Sequence, residues 1–170
     1  MAAIGRNITL RICGVAMIFR ISDKFSPYFN FGHVVYEARD IAEDFLYHKL
    51  GAILEVSIFT FTDDKPETVF NKIASECTAY HNGKAPVLVE PWTPWNPWTS
   101  AIATTKSNAP GVIFINTRKI NQRSAKEYAA TFLHEFCHIV GYGHGDNFNQ
   151  DKEPKLSSVP IKLASMVMNG

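Results

Sequence analysis

The sequence predicts an α+β domain: a mixed, twisted sheet, one helix near the N-terminus and a second long helix late in the chain. Three observations carry this. Helical stretches, with apolar residues three and four apart, alternate with shorter β-branched runs. The composition, 46% hydrophobic and 19% charged over 170 residues, suits one buried core and leaves little room for two, so a single domain over residues 1–170 is expected. The late helical pattern opens on a strong start signal and holds three of the six histidines within eleven residues, His134 to His144.

In chain order, "NITLRICGVAMIFRI" (Asn7 to Ile21) alternates Ile8, Leu10 and Ile12 and reads as a buried strand. Arg6 and Arg11 ahead of "ICGVAMIF" sketch a leader peptide as the competing reading. Arg20 closes that run, no small-residue cleavage site follows, and eight residues are too few to cross a bilayer. The compartment therefore stays open. "HVVYEARDIAEDFLYHKLG" (His33 to Gly51) sets Val34, Val35, Ala38, Ile41, Ala42, Phe45 and Leu46 at helical spacing, with Gly51 as its stop. "AILEVSIFTF" (Ala52 to Phe61) is rich in β-branched and aromatic residues and is expected to be a strand.

A second helix is expected from about Asp64, with Pro66 in its first turn and Val69, Phe70, Ile73, Ala74, Cys77 and Tyr80 as its apolar stripe; Asn82-Gly83 ends it. Strands follow at "VLVE" (Val87 to Glu90) and "GVIFINT" (Gly111 to Thr117), with a short one at "AIATT" between them. The last of these helices begins at Ser124, which forms a capping box with Glu127, runs with Ala129, Phe132, Leu133, Phe136 and Val140 towards the core, and ends at Gly141.

The formal net charge is +1 and the basic residues are scattered, which argues against nucleic acid or an anionic membrane as partner. No stretch is long and apolar enough to span a membrane, and a monomer is expected. Cys13, Cys77 and Cys137 are odd in number, so either all are free thiols or one disulfide leaves a spare.

Chemistry concentrates in "HEFCHIVGYGHGD" (His134 to Asp146). His134 and His138 are four residues apart and leave one helix face a turn apart, so both imidazoles can meet one metal ion. Glu135 lies about 100° round the helix from His134, beside the pair. Gly141 permits the left-handed turn that lets His144 point back as a third ligand. Three protein ligands leave a fourth position for water, the arrangement of a catalytic zinc site. Asp146 either orients a histidine or caps the following loop. His33, His48 and His81 lack ligand spacing and are read as ordinary surface or core residues, and Cys137 as a buried thiol.

The pattern H-E-x-x-H-x-x-G-x-x-H, matched by His134, Glu135, His138, Gly141 and His144, resembles the signature of the metzincin zinc peptidases. The resemblance implies a zincin-like catalytic domain with one catalytic Zn²⁺ on the three histidines and Glu135 as general base to the water that the metal activates. It implies a zinc-dependent endopeptidase acting on protein or peptide substrates. It also implies a Met-turn near the C-terminus, for which "LASMVMNG" offers Met168, followed directly by Asn169-Gly170, or Met166. In that family an antiparallel edge strand above the metal binds extended substrate, a role for "GVIFINT", with Ile113 and Ile115, or for "AIATT". The segment from Ser157 to Ala164 is expected to wall the pocket beyond the cut. The chain departs from the family at position 170, glycine where some members carry an extra tyrosine ligand, and Gly145 points to no subfamily.

"PWTPWNPWT" (Pro91 to Thr99) repeats Pro-Trp-x three times. In polyproline II geometry Trp92, Trp95 and Trp98 line one face. They either pack over the core or form an exposed strip that binds substrate, glycan or a partner. This leaves an alternative to the enzyme: a catalytically weak or inactive zinc-binding recognition module that works through the Trp92/Trp95/Trp98 loop.

Overall fold

A computed structural model describes residues 17–28, 32–144 and 158–170. The expected strand over Asn7 to Ile21 lies partly outside these residues, and Cys13, Gly145 and Asp146 lie wholly outside them. The protein is α+β, with a four-stranded mixed sheet in the order β1-β2-β4-β3. β1 (Phe19–Ile21), β2 (Val87–Trp92) and β4 (Ala109–Asn116) are parallel. β3 (Ala103–Lys106) forms a hairpin with β4 and is the antiparallel edge, its register shifting between Thr105 and Lys106.

The helices are α1 (Gly32–Asp44), α2 (Pro66–His81), α3 (Ala125–Ile139) and α4 (Val159–Asn169). α1, α2 and α3 fall where the periodicity puts them. α2 carries Pro66 in its first turn, buries Val69, Phe70, Ile73, Cys77 and Tyr80, and is followed by Gly83 at φ 98°. α3 begins with the full capping box: the Ser124 hydroxyl accepts from the Glu127 amide while Glu127 Oε2 accepts from the Ser124 amide at 2.8 Å. Two backbone donors at the helix start are thereby satisfied.

α3 lies at the centre. It packs against α1, α4, β3 and β4, and its Phe132 and Phe136 rings meet Phe19 of β1 at 5.7 and 5.6 Å. Phe136 also meets Tyr80 of α2. A helix held on so many sides makes a rigid base for whatever its exposed face carries.

Two expectations are corrected. Ala52 to Phe61 is not a strand. The chain leaves α1 through one π-helical turn (Phe45–Lys49) into a 3-10 run (Leu50–Glu55), and Gly51 lies inside that run instead of ending the helix. Only Ile53 and Phe59 of the apolar run are buried with their full side chains, while Ile58 is 71% exposed; beyond the 3-10 turn a single bridge, Thr60 to Ser158, is the only ladder contact described. High β-propensity without a partner strand does not make a strand. The second correction is the Met-turn. Met166 and Met168 lie within α4, whose Val159, Leu163 and Val167 are buried four residues apart and whose Pro160 stands at the helix start, where its missing amide costs nothing. A helical stripe outweighs the turn signal of Asn169-Gly170, which comes only at the end of that helix.

Candidate metal centre

The end of α3 builds the site. Gly141 adopts φ 100°, a conformation that any side chain would strain. Its amide donates to the His138 carbonyl at 3.1 Å, and the Tyr142 amide to the Cys137 carbonyl at 2.9 Å. That pair of bonds is a Schellman motif, and it turns the chain back across the helix end. His144 thus returns to the face that carries His134 and His138.

The three imidazoles converge. His134 Nε2 lies 3.2 Å from His138 Nε2 and 3.2 Å from His144 Nε2. One ligand atom from each lies within 4.8 Å of the others, and this is the sole His/Cys/Asp/Glu group of metal-holding geometry among the described residues. Nitrogens at about 2.0–2.1 Å from a tetrahedral metal ion stand roughly 3.3 Å apart, a spacing that the two separations from His134 Nε2 match. The tautomer is also determined. His138 Nδ1 is 2.7 Å from the Tyr142 carbonyl, which can only accept, so Nδ1 carries the proton and the Nε2 lone pair faces the centre. Burial, with His138 and His144 alongside, lowers the His134 pKa to about 3 and keeps its ring neutral, the form that ligates.

Glu135 is buried beside the cluster. Burial pushes its carboxyl up to about 7, against hydrogen bonds from the Thr105 hydroxyl and amide that favour the charged form. A buried carboxyl poised near neutrality next to three imidazoles is suited to taking up and giving back a proton. Both features open onto one cleft of about 1100 Å³. The strand β3 and the residues leading into it form one wall, Ala130 and Thr131 of α3 another, and Ile161, Ala164, Ser165 and Met168 of α4 a third. The α4 part of the Ser157 to Ala164 segment does face this cleft, and Met168 contributes to its rim from a helix.

The remaining candidates divide. Ile113 and Ile115 sit in β4, between β2 and β3, and are fully buried, so they face the core and offer nothing to a ligand in the cleft. The edge position belongs to β3, within "AIATT". The three tryptophans do not share one polyproline face. Trp92 ends β2 opposite Asn116 with Lys106 Nζ 4.8 Å above its ring, while an Asn96 side chain that accepts from the Trp98 amide folds the next residues into a turn. Trp95 and Trp98 are 97% and 90% exposed, so the core-packing reading fails for both. Cys77 and Cys137 are free and buried, as read for Cys137, and burial raises the Cys77 thiol to about 12. His33, His48 and His81 are exposed and stand apart from the cluster.

Sequence reasoning missed Thr105, which holds Glu135, and Tyr142 with its partner Asp64. Thr105 was recoverable from its place on the edge strand; Asp64, 78 residues from Tyr142, gave no local signal.

Fold and site together define an α+β protein whose central helix and the turn after it bring together a three-histidine group able to hold a metal ion. Compared with known proteins, the chain matches no family model, no curated protein and no solved structure. Among the described residues no helix is long and apolar enough to cross a membrane.

Proposed function

We propose that the protein is a zinc-dependent endopeptidase of the metzincin type, with a zincin-like catalytic domain. One observation carries the reading: three Nε2 atoms spaced for a single ion, with the buried Glu135 carboxyl beside them in one cleft under an antiparallel edge strand. The H-E-x-x-H-x-x-G-x-x-H pattern supports the same conclusion. The absence of a Met-turn among the described residues is a departure from that family.

His134, His138 and His144 would hold the ion, leaving one side of it open to the cleft. A bound zinc supplies a Lewis acid that acidifies a water ligand and polarises the scissile carbonyl. Glu135 takes the proton from the attacking water at its carboxylate and returns it to the leaving amine. Thr105 keeps that carboxylate oriented between the two transfers. β3 offers a strand edge along which an extended peptide lies, so main-chain hydrogen bonds would align the substrate irrespective of its side chains. The space between α3 and α4, rimmed by Met168, takes a side chain next to the cut bond.

The test compares wild type with Glu135→Gln, both loaded with zinc, on a mixed peptide library. Both are expected to hold one zinc per chain, while cleavage by the variant falls about 100-fold or more. Equal cleavage by the two proteins would refute the assignment. The exposure of Trp95 and Trp98 favours a second reading, a zinc-binding recognition module working through that loop. It predicts wild-type protein that holds zinc and cleaves nothing.

A further inference from the structure

The loop that delivers the third histidine reads Gly141-Tyr142-Gly143-His144. Two glycines in four residues give it little stiffness of its own. Ligand atoms that must meet within tenths of an ångström need the loop held by something else. Tyr142 is buried, although Gly141 and Gly143 on either side are exposed. We infer that Tyr142, tied through Asp64 just ahead of α2 to Lys72 within that helix, is a positioning residue that fixes both His138 and the His144 loop around the ion.

Tyr142 has three attachments. Its amide closes the Schellman turn on the Cys137 carbonyl. Its carbonyl accepts the His138 Nδ1 proton at 2.7 Å and so sets the plane of that ring. Its hydroxyl donates to Asp64 Oδ2 at 2.9 Å, and Lys72 Nζ donates to the same oxygen at 2.6 Å while standing 5.4 Å from the centre of the Tyr142 ring. The first two are made by backbone and are local to the helix end. The third is made by the side chain, reaches the residues just ahead of α2 and stops the loop from rotating about its glycines. The hydroxyl bond is made to an ionised carboxylate, which strengthens it over a neutral contact, and Lys72 holds that carboxylate in place. The aromatic ring gives Lys72 a second, weaker hold.

This inference rests on the three histidines binding a metal and not on peptide hydrolysis. Its test is therefore metal affinity, measured on metal-free full-length protein by competition with a chromogenic zinc chelator, together with the visible spectrum of the cobalt(II) form. Tyr142→Phe keeps the ring and loses the donor; Asp64→Ala removes the anchor. Each is expected to weaken zinc binding by about 10-fold and to change the cobalt spectrum, in the range found when the partners behind metal ligands are removed. The double variant is expected to bind no more weakly than either single one, because both cut the same tie. Asp64→Asn, which still offers the hydroxyl an acceptor, is expected to recover most of the affinity. Ser124→Ala, at the far end of α3, is expected to lower the melting temperature with no change in zinc affinity. Wild-type affinity and spectrum in both Tyr142→Phe and Asp64→Ala, or losses in them that add, would overturn the clamp and leave the metal centre standing. Failure of the wild type to bind zinc or cobalt would overturn both.

Discussion

Glu43 shows how much one side chain can decide. It projects from α1 and accepts the amides of Ile18 and Phe19 on one oxygen, at 2.8 and 2.9 Å, at the start of β1. Burial raises its pKa above the ordinary carboxylate range, the two amides opposing the shift without cancelling it. A carboxyl raised on folding contributes stability at low pH, where it is neutral in both states, and that contribution is lost as pH rises through its folded pKa. Glu43→Gln keeps an acceptor for both amides and carries no charge. Its stability relative to wild type should therefore improve as pH rises out of the carboxylate range and show no such gain in acid, as measured by urea unfolding across pH. Glutamine is likewise the better substitution at position 135, since alanine would leave the Thr105 amide without its acceptor. At this scale the ligands were legible because their geometry is local: His134 and His138 share a helix face, and Gly141 announces the turn. Asp64 was not legible, because the tie it makes exists only after α2 and α3 have packed.

Among the elements, α3 does most to place the site, and its two ends can be tested separately. Removing the Ser124 hydroxyl should cost about 1 kcal/mol, visible as a lower melting temperature. Gly141→Ala has open space around its new methyl but φ 100° against it, so it should destabilise by roughly 1–2 kcal/mol and also weaken zinc binding, because the turn it strains aims His144. Capping residues and apolar stripes made α1, α2 and α3 readable, since the signals that start, bury and stop them lie within each segment. Ala52 to Phe61 was misread because β-propensity reports what a residue tolerates, and the partner strand it needs is a property of the whole sheet. α4 was hidden for a different reason: a resemblance to a known motif drew Met166 and Met168 into a turn that the Val159, Leu163, Val167 spacing argues against.

For the whole molecule, the site joins α3, the loop after it, β3 and the start of α2, so metal binding and folding are coupled. A ligand that binds the folded chain at 100 times its dissociation constant adds about 2.7 kcal/mol of stability, or roughly 5–11 °C in melting temperature for a chain of this size. Zinc should raise the thermal transition by that order, and a chelator should reverse it; a transition indifferent to both would contradict a three-histidine metal centre. The tryptophans report a surface far more open than the core. Acrylamide should quench the strongly exposed Trp95 and Trp98 efficiently and Trp92 less, and weak quenching of all three would exclude an accessible aromatic loop.

The outer side of β3 has a consequence for how the protein behaves in concentrated solution. An open strand edge is equally open to the same edge of another copy, and two sheets joined edge to edge in this way close into a two-fold dimer. Three features restrain it here: β3 is only four residues long, its register slips at Thr105/Lys106, and it ends on a lysine. A Glu135 carboxylate already bonded to the Thr105 amide removes one rung from the ladder that such pairing would need. The hydrogen bond that orients Glu135 therefore also works against edge-to-edge pairing, and replacing Lys106 with an apolar β-former should raise the share of dimer on concentration, as read by size-exclusion chromatography.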